Sequence, residues 1–343
     1  VQITSNLSTY RTQTILATLL LISLASLALA CSIGSVALSF SELVSAAAEL
    51  MQGDPASLNA TLLELRLNRG LLAFVTGATL ALAGALMQAL LRNPLADPYV
   101  LGVSGGAAVG ALFAMLFGAM AWMIELAAFG GAVAVAAVLF FLAYNDFKGS
   151  GNAEGSAPTI LLTGVIVGYG CMAVITLILS VAPDSRLRSM VFWMIGDLSG
   201  SEASYFPWII LSGVLAVVCK MARSINVAAL YSDNASTLGI SMGRLRKILF
   251  FFATLLTASA VSTAGSIGFV GLIMPHACRF AWGSDHRLLL PASCLAGGIF
   301  LTLADTMARS LLSPQQLPVG VITALIGVPL FLFQLHQHRK HAK

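Results

Sequence analysis

Charge is scarce in this sequence. Of 343 residues, 18 are Lys or Arg and 14 are Asp or Glu, so 9% are charged while 58% are apolar. Soluble domains average about 25% charged residues, and so few ionised groups cannot clothe a globule of this size in water. That excludes a soluble enzyme and a disordered chain. The net charge of +4 comes from scattered basic residues rather than a patch, which excludes a polyanion-binding surface and with it a nucleic-acid partner. A mean hydropathy of +0.91 points instead to a polytopic membrane protein surrounded by lipid.

Catalytic and metal-ligating patterns are equally sparse. The five lysines, at 148, 220, 247, 340 and 343, are never preceded by glycine, so there is no Walker-type phosphate loop. Three of the five histidines (His336, His338, His341) lie in a basic tail, and His276 follows Pro275 in an apolar run, where a packed imidazole is expected. No HExxH, paired-carboxylate or Ser/His/Asp arrangement occurs. The cysteines Cys31, Cys171, Cys219, Cys278 and Cys294 sit in apolar stretches without CxxC spacing and read as small packing residues. The expectation is therefore no catalytic residue, no metal site, no cofactor and no disulfide framework.

Apolar runs are what the chain has in abundance. A spanning helix needs roughly 20 apolar residues, and ten candidates lie near 15–37, 70–90, 99–118, 124–145, 158–181, 205–219, 248–264, 266–282, 288–308 and 318–335. This predicts a single all-α membrane domain over residues 1–343. Ala28-Leu-Ala-Cys31 has the look of a lipoprotein cleavage site, but the segment is read as span one. With the N-terminus inside, Arg11, Arg92, Lys148, Lys220, Arg223, Arg244, Arg246, Lys247, Arg279, Arg287, Arg339, Lys340 and Lys343 all fall on the cytoplasmic side. Arg66, Arg69, Arg186, Arg188 and Arg309 fall outside, and both termini are cytoplasmic. Two loops exceed turn length. Residues 38–69 read as an amphipathic segment on the outer surface. Residues 220–247 are cytoplasmic, with cap chemistry at Ser232-Asp233-Asn234 and a helix stop at Gly239.

Several residues stand out within this frame. Gly102, Gly106 and Gly110 recur every four residues and predict a close-packed helix face. Asp305 and Arg309 are four apart and positioned to pair. Arg66 and Arg69 would share a face if their segment is helical, and with Arg309 they place three guanidiniums at one outer surface, suited to a carboxylate-bearing protein partner. Arg92-Asn-Pro-Leu-Ala-Asp-Pro98 is a rigid break between spans two and three, because its two prolines forbid a continuous helix.

Four ordered stretches carry a resemblance. They are Gly84-Ala-Leu-Met-Gln88 running into Arg92–Pro98 and Leu101-Gly-Val-Ser-Gly105; Leu238-Gly-Ile-Ser-Met-Gly-Arg-Leu-Arg246; Gly265-Ser-Ile-Gly-Phe-Val-Gly-Leu-Ile-Met-Pro-His276 with Ser284-Asp-His-Arg287; and Leu317-Pro-Val-Gly-Val-Ile-Thr-Ala-Leu-Ile-Gly-Val-Pro329. Together they resemble the permease subunits of type II ATP-binding-cassette importers, the FecCD-type family that handles iron–siderophores, haem and cobalamin. The resemblance implies a ten-span permease bundle in a bacterial inner membrane, paired with a second permease subunit. It also implies two copies of an ATP-binding cassette subunit below and a periplasmic substrate-binding protein above. By position Arg66, Arg69 and Arg309 match the family's docking arginines, and Asn93 and Leu95 match a cytoplasmic gate whose other side here reads Ser156-Ala157-Pro158. Ser232, Leu238, Gly239 and Arg244 match the segment coupled to the ATPase.

The expected function is import of an iron chelate, siderophore or haem, with cobalamin as the alternative cargo. A rival of another class is a proton-coupled secondary transporter. It would need mid-membrane carboxylates or histidines, and only Asp305 comes near.

Overall fold

The computed structural model describes residues 2–34, 36, 38–53, 57–144, 153–199, 204–230, 240–312 and 315–341. Among these, twelve α-helices and one 3₁₀ turn follow one another without a strand. They are α1 (Gln2–Ser32), α2 (Phe40–Gln52), α3 (Leu58–Leu91), the 3₁₀ turn Pro98–Leu101, α4 (Val103–Leu116), α5 (Ala121–Leu142), α6 (Ala153–Val181), α7 (Asp184–Ile195), α8 (Phe206–Leu230), α9 (Met242–Ala264), α10 (Val270–Trp282), α11 (His286–Ser310) and α12 (Val319–His341). Ten of them coincide with the expected spans; α2 and α7 are short additions. Seven (α1, α3, α5, α6, α8, α9 and α11) are long and apolar enough to cross a bilayer.

The differences from expectation have local causes. The sixth span starts cleanly at Phe206, because Pro207 occupies the first helical turn, where its missing N–H is no loss, and it runs past residue 219 to Leu230. The eighth begins only at Val270: Gly265 (φ 69°) and Phe269 (φ 72°) turn the backbone out of helical geometry, leaving a 13-residue helix. At 1.5 Å per residue that is about 20 Å, short of a ~30 Å hydrocarbon core. The third span is split, with the 3₁₀ turn preceding α4.

At 34 residues, α3 rises about 51 Å, longer than a ~30 Å hydrocarbon core needs, and its early start brings Arg66 and Arg69 into the helix. It is the axis of the bundle, with 94% of its most apolar window buried. Lipid supplies no hydrophobic drive between helices, so contact is gained by close backbone approach. A Cβ on Gly77 would fall 2.2 Å from the Gly297 carbonyl oxygen of α11, and one on Gly84 would fall 1.8 Å from that of Gly271 in α10. In α4 the expected glycine face is split between two neighbours. Gly106 and Gly110 meet Gly131 and Ala127 of α5, whereas Gly102 is a left-handed cap lying against Gly164 and Gly168 of α6.

Candidate functional site

The start of α3 and the end of α11 meet at one end of the bundle, where three arginines and a carboxylate gather. The last carbonyls of a helix lack intrahelical partners. At the end of α1 the Arg66 guanidinium supplies donors to the Cys31 (3.0 Å), Ser32 (3.3 Å) and Val36 carbonyls. Gly34 has no side chain where one would collide with that guanidinium at 2.6 Å. One turn on, Arg69 Nε donates to both oxygens of Asp305 (3.0 and 3.1 Å), Nη2 donates to Oδ1 at 2.8 Å, and Nη1 donates to Gln316 Oε1 at 2.8 Å. Arg309 Nη2 donates to the Ala30 carbonyl at 3.1 Å. Its Nε lies 3.1 Å from Asp305 Oδ2 but is misaligned for a hydrogen bond, so the contact is Coulombic.

Asp305, 1% exposed, is thus clamped between two guanidiniums. The expected Asp305–Arg309 pair forms, and Arg69 joins it from 236 residues away. The structure brings Arg66, Arg69 and Arg309 together, with Arg69 the more accessible member of the Asp305 clamp, at 14% side-chain exposure against 9% for Arg309.

The other end of α3 closes at Arg92, which adopts φ 50° and donates its N–H to the Gln88 carbonyl. The turn thus falls on Arg92 rather than on Asn93, whose Oδ1 instead accepts the Leu95 N–H at 2.9 Å and fixes the loop one residue further on. Leu95 is exposed. Asp97 Oδ1 caps the 3₁₀ turn through Tyr99 N at 2.7 Å, and the Tyr99 hydroxyl accepts the Ile267 N–H at 3.1 Å, tying this turn to the α9–α10 break. Pro158 lies in α6, with Ser156 and Ala157 just before it on the same helix. Of the residues matched to the coupling segment, Arg244 is exposed on the first turn of α9, while Ser232, Leu238 and Gly239 lie outside the described residues.

Beside this turn is a group that the sequence did not single out. Asn226, in the last turns of α8, donates Nδ2 to Asp285 Oδ1 at 2.7 Å. Its Oδ1 accepts the His286 backbone N–H at 2.9 Å and lies 2.7 Å from His286 Nδ1. Asp285 is also the N-cap of α11, accepting the Arg287 N–H at 3.0 Å. The backbone N–H is an obligate donor and the carboxylate an acceptor, so the amide orientation is fixed. A cavity of about 550 Å³ opens here, bordered by Gln88, Arg92, Asn226, Arg279 and His286.

A second element lacking a sequence forecast is α7. Arg186 donates to the Met115 carbonyl (3.2 Å) and to that of Leu116 at the end of α4. The C-terminal end of α7 enters the bundle, where Gly265 and Gly320 leave room for the Trp193 and Ile195 carbonyls. All five cysteines are free thiols. Among the described residues no three His, Cys, Asp or Glu side chains gather as a metal site.

Seven helices able to cross a bilayer, packed around a buried axial helix with one polar cluster at each end of it, define a polytopic membrane subunit. Its family is the FecCD transport family, whose model matches residues 18–337, and the chain belongs to it as an ABC importer permease. It is 41% identical to the Bacillus subtilis ABC transporter permease protein YvrB over 81% of this chain and 79% of that one. It is 40% identical to the cobalamin import system permease protein BtuC of Halobacterium salinarum, over 86% and 79%. It is 37% identical to the vitamin B12 import system permease protein BtuC of Salmonella typhi, over 79% and 82%. The inward-facing structure of a metal-chelate type ABC transporter superposes with TM-score 0.80 at 28% identity, covering 95% of this chain and 99% of that one.

Proposed function

We propose that this chain is the membrane-spanning half of a cobalamin importer in a bacterial inner membrane, with both termini cytoplasmic. One observation carries the cargo: two relatives named for cobalamin or vitamin B12 import match at 40% and 37% identity over most of their length. That reverses the order of the sequence reading, which put iron–siderophore or haem ahead of cobalamin. In this reading the chain pairs with a second permease subunit, two ATP-binding cassette subunits dock at the Asn93 end, and a periplasmic binding protein docks at the arginine end. Arg66, Arg69 and Arg309 are the docking arginines, and Asn93 and Leu95 belong to the cytoplasmic gate. Residues 232–239 with Arg244 take the push from ATP-driven closure.

The mechanism needs a bundle with two stable arrangements, between which a modest differential contact selects. The proton-coupled rival finds no support at Asp305, because that carboxylate is occupied as an ion-pair partner of Arg69 and Arg309.

The test is reconstitution with the cognate ATPase and binding protein. ATP-dependent uptake of cyanocobalamin, unmoved by a proton gradient, is the expected outcome. Uptake driven by a pH gradient without the ATPase would overturn the importer; preferential uptake of haem or a ferric siderophore would overturn the cargo.

A further inference from the structure

Both ends of α11 are fastened by polar side chains to a different neighbour. At one end Asn226 of α8 grips Asp285 and His286 with three short contacts of 2.7–2.9 Å. At the other, Asp305 is clamped by Arg69 of α3. Between them α11 rises about 37 Å over its 25 residues. Between those ends α11 crosses α3 in direct backbone contact, since neither Gly77 nor Gly297 leaves room for a Cβ. Packed cores shift between discrete arrangements rather than deform continuously, so α3 and α11 move as one body.

In its intramembrane part α8 is held differently. Only 28% of its most apolar window is buried, against 94% for α3 and 67% for α11. Asn226 lies one turn before the end of α8, and residues 231–239 follow directly. A displacement of the α8 terminus therefore reaches Asn226 within one turn. Apolar contacts against a lightly buried helix can slide; a doubly accepting, singly donating amide held between a backbone N–H, an imidazole and a carboxylate has one geometry.

We propose that Asn226 is the joint through which movement of the C-terminal end of α8 reaches the α3–α11 body, and through it the arginine cluster at the opposite end. Asn226 is a positioning residue: it acts through Asp285 and His286. The inference rests on the importer reading, in which segment 231–239 meets the ATPase and the arginines meet the binding protein.

The experiment uses the complete complex of permease, ATPase and binding protein in nanodiscs. It measures ATP hydrolysis with and without binding protein, per assembled complex, alongside the binding-protein Kd. In Asn226→Ala, stimulation by binding protein falls at least fivefold, while unstimulated hydrolysis and Kd stay within twofold of wild type. Asn226→Asp faces the Asp285 carboxylate and is uncoupled to the same extent. Combining Asn226→Asp with Asp285→Asn removes the carboxylate–carboxylate clash and restores a donor opposite an acceptor, and recovers at least half of the stimulation.

Wild-type stimulation retained in Asn226→Ala overturns the joint and leaves the importer standing. A wild-type complex that binding protein never stimulates overturns the importer reading and the joint together. Should the single variants assemble poorly, equal stimulation per assembled complex across the series also overturns the joint, because the residue would then serve assembly alone.

Discussion

The Asp305 cluster shows how much a single buried carboxylate can organise. Asp305→Ala leaves the Arg69 and Arg309 guanidiniums facing one another without their anion. Removing one member of a buried ion pair costs about 3–5 kcal/mol, so the detergent-solubilised variant should unfold well below wild type in a thermal melt. Arg69→Lys keeps the charge but loses the fork that meets Asp305 and Gln316 at once, and a smaller drop is expected. Arg69→Glu should weaken binding-protein docking more than tenfold, about 1.4 kcal/mol, with the loss shrinking as salt screens the surface. Affinity measured in nanodiscs at low and high salt, on protein of verified fold, checks this; an unchanged Kd at low salt would remove Arg69 from the docking surface. The α3 crossings give a second residue-scale test. Gly84→Ala would place a methyl 1.8 Å from a backbone oxygen that cannot swing away, whereas Gly130→Ala meets nothing within 4 Å. Overpacking costs about 1–3 kcal/mol, so the first variant should melt lower and the second should match wild type.

Among the elements, α2 carries a cap whose strength answers to pH. Ser39 and Glu42 form a reciprocal capping box at its start, and those hydrogen bonds hold the Glu42 carboxyl below the usual carboxylate range. A depressed folded-state pKa means that the cap is fully present above the ordinary glutamate pKa and is lost as pH falls through the lowered value. Hydrogen exchange in residues 40–52, corrected for intrinsic rate, should therefore show fraying of α2 in acid, and Ser39→Ala should show it already at neutral pH.

The long helices were legible because lipid demands unbroken apolar runs, and Asp305–Arg309 was legible because the pair is separated by one helical turn. The break after Ala264 was legible from Gly265, but its extension to Val270 was not, since that depends on the left-handed conformation of Phe269, which no local signal announces. Nor was α7, whose basic Arg186 and Arg188 interrupt an apolar pattern yet serve α4 and Phe192. Asn226 had no signal at all: its partners lie 59 and 60 residues away, and only the packing of α8 on α11 makes it more than an asparagine near a helix end.

For the molecule as a whole, the absence of a phosphate loop predicts that the purified subunit hydrolyses no ATP, to be checked against the same preparation with its ATPase added. Five free thiols predict that reductant leaves the thermal midpoint unchanged.

The burial of α3 bears finally on how the protein is made. Arg69 emerges from the ribosome long before Asp305, which follows 236 residues later, and the small-residue faces of α3 likewise wait for α10 and α11. Until then the growing chain holds an unneutralised guanidinium and open glycine grooves at the membrane. A translation product stalled before α11 displays both.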